Sequence, residues 1–111
     1  MRLPNADQAV ISPEKLRDYL LSPGHRRGSS KSEFFSALGY NRDRWVDLER
    51  HLREQHLVLD AEAVESTVWG VLYAIVGPIA GPSGEKAIVR SIWIIETGQE
   101  TPRFVTAYPG R

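Results

Sequence analysis

Apolar positions change their period part-way along the chain, near residue 60. Before that point they recur every three or four residues, as on one face of a helix. Leu16, Tyr19 and Leu20 form the first such set, Phe34, Phe35 and Leu38 the second, and Trp45, Leu48 and Leu52 the third. Ser12-Pro13 predicts an N-cap followed by proline at the first helical position, where a missing N–H costs nothing. That helix runs from Glu14 to about Leu21, and Pro23-Gly24 stops it. Ser30 and Glu33 have capping-box spacing and open a second helix, which Gly39 ends as a left-handed C-cap. Asn41 caps a third helix, Arg42 to about Gln55, whose Asp47, Glu49, Arg50, Arg53 and Glu54 make a solvated, mutually paired outer face.

A charged connector, about Asp60 to Ser66, precedes a change to strand-like sequence. Thr67–Ala80, Ala87–Ile95 and Arg103–Tyr108 are rich in Val, Ile, Trp, Tyr and Phe, and Gly- and Pro-containing turns separate them. Helices first and strands second predict an α+β fold, with N-terminal helices packed on one face of a C-terminal antiparallel β-meander. Residues 1–111 read as a single domain, with a helical part at 1–59 and a sheet part at 67–109. Val10-Ile11 is a candidate short edge strand. Period-two alternation puts Ala87, Val89, Ser91, Trp93 and Ile95 on one side of the second strand, and Ile88, Arg90, Ile92 and Ile94 on the other. On the third, Phe104, Thr106 and Tyr108 oppose Val105 and Ala107. If no bulge intervenes, a turn centred near Gln99 sets Arg90 opposite Tyr108 and Ile92 opposite Thr106, so Arg90, Thr106 and Tyr108 are expected on one sheet face.

Composition narrows the function classes. With 41% hydrophobic and 25% charged residues the chain is of ordinary globular make-up. The absence of Cys excludes a disulfide framework and thiolate metal sites. Fourteen Lys+Arg balance 14 Asp+Glu, so no overall field draws the chain to nucleic acid or membrane. No apolar leader follows Met1, and the apolar stretch Val68–Ala80 is interrupted by Gly70, Gly77 and Pro78, too short for a membrane span. A cytoplasmic protein is the resulting expectation. His51 and His56 are not at the spacing that lets two histidines share a helix face, so neither a metal site nor a cofactor is expected.

Two groups of residues carry candidate chemistry. The segment from Tyr19 to Ser32 lacks acidic residues and contains His25, Arg26, Arg27 and Lys31 among Gly24, Gly28, Ser29 and Ser30. Cations and backbone donors before a helix suit a phosphate group, although a solvated basic loop has the same composition. Arg90 stands among aliphatic residues in a strand. A buried guanidinium is costly unless paired, so its face is open to solvent or an anion, or it pairs with a carboxylate such as Glu96 or Glu65. Arg103, at a strand start after Pro102, reads as a surface residue.

Leu3-Pro4-Asn5-Ala6-Asp7, Lys15 to Leu21, His25, Gly28 and Lys31 before Phe34-Phe35, then Val89 to Ile95 and Pro102 to Pro109, together resemble a bacterial family of unknown function. Its members are stand-alone proteins or C-terminal modules of polymorphic and contact-dependent toxins. That family is similar to the barnase–EndoU–colicin–RelE ribonuclease superfold, and Thr106-Ala107-Tyr108-Pro109 looks like the last-strand signature of several such toxins. The resemblance implies a metal-independent, cofactor-free ribonuclease-like toxin domain. In it His25 transfers protons, Lys31 and Arg90 hold the scissile phosphate, and Thr106 and Tyr108 hydrogen-bond it, with Tyr108 an alternative acid. Arg26, Arg27 and Arg103 would contact the RNA backbone. The implied partners are an RNA substrate and a small antitoxin or immunity protein. The alternative is a non-enzymatic protein-interaction or immunity-type module of a toxin system, whose apolar sheet face (Ile88, Ile92, Ile94, Phe104) a partner covers.

Overall fold

The computed structural model describes residues 1–22 and 29–110. The expected stop at Pro23-Gly24 lies outside them. Helical backbone starts at Pro13, as a proline first position requires, and continues through Lys15–Leu20 in wide i→i+5 turns, closed by Leu21 N–H on the Leu16 carbonyl at 2.9 Å. Ser12 does not cap this segment with its side chain; its hydroxyl donates to the Glu14 carboxylate instead. Helix α1 spans Ser29–Ala37. It ends as expected at Gly39, whose φ of 102° lets Tyr40 N–H reach back to the Phe35 carbonyl at 3.1 Å. Asn41 caps the next element, its Oδ1 accepting from Arg44 N–H at 3.1 Å. That element is a 3-10 turn, Arg42–Arg44, then helix α2, Trp45–His51, and a final wide turn, Leu52–His56.

Four strands follow in one antiparallel sheet of order β1-β2-β3-β4: β1 Glu62–Thr67, β2 Gly70–Ala80, β3 Lys86–Glu96 and β4 Arg103–Pro109. The α+β arrangement, helices first and meander second, is the one the sequence predicts. Strand β1 corrects the reading of residues 60–66 as a connector. All six of its residues are exposed. An edge strand held by its backbone ladder to β2 has no buried side and shows no apolar alternation. The apolar run from Thr67 is accordingly cut by a tight turn at Val68-Trp69, whose side chains are 81% and 76% exposed. Val10 forms only an isolated bridge to Arg103, not a strand.

The helices cover one face of the sheet. Leu16, Leu20, Phe35, Leu48 and Leu52 are fully buried against Ile75, Ile79, Val89 and Trp93. Full burial of each such side chain stabilises by about 1.5–3 kcal/mol. The pairs Arg90–Tyr108 and Ile92–Thr106 are in the expected register. Between Ile92 and Trp93 the register shifts, and Trp93 pairs with Phe104. Val105 is therefore the extra residue of a β-bulge, which turns Phe104 into the core with its ring 5.2 Å from that of Trp93. Phe104 consequently does not belong to the outer face on which simple alternation placed it. The uncovered face carries Leu72, Ala74, Val76 and Pro78 of β2, Ile88, Arg90, Ile92 and Ile94 of β3, and Thr106 and Tyr108 of β4.

Inside the core a polar chain joins the two layers. Trp93 Nε1–H donates to Ser91 Oγ at 2.8 Å. Ser91 Oγ lies 2.7 Å from His56 Nδ1, and His56 Nε2 lies 3.2 Å from the Gly77 carbonyl. A neutral imidazole protonated at Nε2 satisfies every member: Nε2–H donates to Gly77, and Nδ1 accepts from the serine. Burial pushes the imidazole below its ordinary 6.5, only partly opposed by backbone hydrogen bonds. Below that value the unfolded chain takes up a proton that the folded one refuses, so stability falls as pH drops from about 6.5 towards the depressed folded pKa, and the effect vanishes above 6.5. His56→Ala is expected to cost about 2–4 kcal/mol by leaving a cavity and an orphaned serine and carbonyl. Urea unfolding at pH of about 7.5 and about 5.5 checks both statements: the wild type loses stability at the lower pH, and His56→Ala loses this component.

Candidate functional site

Strand alternation on β3 and β4 builds the site from its sheet side. Arg90 and Tyr108 are register partners on the uncovered face, and Thr106 lies one pleat further along β4, opposite Ile92. Helix α1 packs beside β4 and supplies Lys31 from its first turns. The lysine ammonium reaches the strand's outer face. It donates to Thr106 Oγ1 at 3.3 Å and to Tyr19 Oη at 2.7 Å, and lies 5.9 Å from the centroid of the Tyr108 ring. Its distance to the Tyr19 centroid is 5.0 Å, so it stands at the polar end of that phenol, and the contact is a hydrogen bond, not a cation over a ring face.

Three of the residues singled out from sequence thus converge: Lys31, Thr106 and Tyr108, with Arg90 in the adjoining strand. His25, Arg26 and Arg27 lie outside the described residues. Arg103 is not brought to the cluster. It begins β4, opposite Ile94, and pairs with Glu96 at 3.1 Å on the exposed surface. Glu96, one of the carboxylates that the sequence offers to Arg90, is therefore taken by another arginine. Glu65, the other, is in register with Leu72, four residues along β2 from the Val76 that faces Arg90, or about 13 Å. Among the described residues every ion pair joins groups other than Arg90 and Lys31. Two half-buried cations flanked by hydroxyl groups, with no carboxylate bound to either, suit an anion of more than one charge.

Tyr19 is the site residue that sequence reasoning missed. Its phenol is held below its ordinary 10, chiefly by the hydrogen bond from Lys31, with burial acting in the opposite direction. Nothing in the spacing of Tyr19 and Lys31 announces the contact, because two different helical segments must dock on β4 to make it. Its signal is only that Tyr19 stands on the apolar face of the first segment with a polar end to satisfy.

Two surface clefts lie elsewhere. One of about 750 Å³ runs between α1 and residues 40–43, lined by Ser32, Glu33, Ser36, Tyr40 and Arg42. Another of about 470 Å³ is lined by Arg2, Asp7, Arg53 and Val58. Neither includes the cations described above. No three of His, Asp and Glu gather as a metal centre would need among the described residues, and no helix there is long and apolar enough to cross a membrane.

A family described as Domain of unknown function (DUF6883) matches residues 2–111. The chain belongs to this family. Expected membership in a family without an assigned activity is met at that level. This DUF6883 chain is also similar to a solved structure, the contact-dependent growth inhibition toxin–immunity protein complex from Klebsiella pneumoniae 342. The TM-score is 0.71 at 18% identity, over 96% of this chain and 97% of that one. At such identity the likeness establishes a common fold. No curated protein matches the DUF6883 chain.

Because Arg103 and Glu96 form an exposed pair, Arg103→Met is expected to change the unfolding free energy by less than about 1 kcal/mol, read from urea denaturation.

Proposed function

We propose that this chain is a ribonuclease-like toxin domain that cleaves RNA with side-chain acid–base groups. The observation that carries the reading is the Lys31 ammonium bound to Thr106 beside Tyr108, with Arg90 on the same sheet face and no carboxylate paired to either cation among the described residues. A phosphodiester fits such a site in its transition state: singly charged at rest, it approaches a double charge as the phosphorane forms. Its charge rises as the 2′ oxygen attacks phosphorus, and fixed cations aimed at that charge lower the barrier. In this reading Lys31 and Arg90 grip the phosphate, Thr106 and Tyr108 hydrogen-bond it, and His25 takes the 2′ proton, the role for which an imidazole side chain is commonly used. Arg26 and Arg27 hold the backbone of the RNA, while Arg103 stays with Glu96. The shared fold with a toxin–immunity complex supports placing the chain in a toxin system, with a small antitoxin or immunity protein as partner.

A second reading, a protein-interaction or immunity-type module, is favoured by the same sheet face. Val76 and Ile88 are 47% and 38% exposed there, beside Leu72, Ile92 and Ile94. Apolar residues contiguous across two strands are what a protein partner covers. Expression in cells separates the readings. The wild type is expected to arrest growth and degrade RNA, and the purified protein to keep cleaving RNA in EDTA. Arg90→Ala and Lys31→Ala each lower the cleavage rate about 10²–10³-fold while their circular dichroism stays that of the wild type. Equal growth with intact RNA in all three would overturn the nuclease and leave the binding module.

A further inference from the structure

We infer that Tyr19 is the general acid of this site, giving its phenolic proton to the 5′ oxygen that leaves when the phosphodiester is cut; the inference rests on the ribonuclease reading above. Lys31 donates to Tyr19 Oη at 2.7 Å and to Thr106 Oγ1 at 3.3 Å, so the phenol oxygen stands in the immediate surroundings of the cation that meets the phosphate. Because the ammonium is the donor, the phenolic hydrogen is directed away from it. A phenol that loses that hydrogen becomes an anion already in contact with a cation, which makes proton release easier at the moment the leaving alkoxide needs it.

Tyr108 lacks this arrangement. The same ammonium lies 5.9 Å from the centre of its ring, and no hydrogen bond joins its hydroxyl to a cation among the described residues. The sequence-based choice of Tyr108 as an alternative acid therefore passes to Tyr19.

The surroundings of Tyr19 are consistently cationic. Lys15 on its own segment, Lys31 from α1 and the Thr106 hydroxyl from β4 all favour the phenolate, while burial opposes it. Arg42, brought by the 3-10 turn, pairs with Asp18 at 3.0 Å, as does Arg17, and Asp47 of α2 pairs with Arg44 and Arg50. Asp18 and Asp47 are thus each paired with arginines, while Glu14 of the Tyr19 segment accepts from the Ser12 hydroxyl.

The step balances. The 2′ oxygen forms a bond to phosphorus and its proton passes to the general base of the site. The bond from phosphorus to the 5′ oxygen breaks, and that oxygen receives the Tyr19 proton. The products are a 2′,3′-cyclic phosphate and a 5′ hydroxyl, with no external oxidant or reductant.

The test compares a short RNA oligonucleotide with one carrying a 5′-phosphorothiolate at the scissile position, whose thiolate leaves without a proton. With the ordinary oligonucleotide, Tyr19→Phe is expected to lower kcat by about 10²–10⁴-fold with KM little changed. It is also expected to abolish an alkaline limb that the wild type shows below the ordinary tyrosine value of 10. With the phosphorothiolate, Tyr19→Phe is expected to match the wild type. Should Tyr19→Phe cut both substrates as fast as the wild type, or lose both equally, the inference falls while the nuclease reading stands. A wild type that cuts neither overturns both.

Discussion

The hydrogen-bonded chain from Trp93 through Ser91 to His56 decides which face of β3 the helices cover. Side chains in a strand alternate, so anchoring Ser91 and Trp93 inside forces Arg90, Ile92 and Ile94 outside. A slip of one residue would bury a guanidinium with no counter-ion and expose an indole, reversing the sign of the burial energy on the whole strand. The neutral imidazole is suited to the joint because it donates on one edge and accepts on the other. It ties the Leu52–His56 turn to both β2 and β3 without leaving an unpaired buried atom.

From that choice of face follows the electrostatics of the outer sheet. The chain is neutral overall, yet its charges are not evenly paired. Asp18, Asp47 and Glu49 are each held by arginines of the helical half, and Glu96 is held by Arg103. Among the described residues none of the ion pairs includes Lys31 or Arg90, and Lys31 donates to hydroxyl groups. A locally cationic patch thus coexists with zero net charge.

The uncovered face joins two properties that are usually discussed separately. Its β3–β4 side carries cations and hydroxyls, and its β2–β3 side carries contiguous aliphatic residues. A protein seated on the aliphatic rows would also close the cationic edge. Catalysis and inhibition by a partner are therefore compatible uses of one surface, and the toxin-system reading draws on both.

Much of this was legible in sequence. The caps at Asn41 and Gly39, the change of period near residue 60, and the pairing of Arg90 with Tyr108 all rest on interactions between near neighbours or on the fixed two-residue period of a strand. Strand β1 was not legible, because an edge strand stabilised by backbone hydrogen bonds needs no apolar pattern. The inward turn of Phe104 was hidden too, since one bulged residue at Val105 inverts the alternation that follows from counting. Tyr19 joined the site only through the docking of two helical segments against β4, a contact between residues far apart in the chain. Local propensity and periodicity set the elements and sorted the residues of β3 onto two sides. Long-range packing, which no local pattern encodes, decided which polar groups meet.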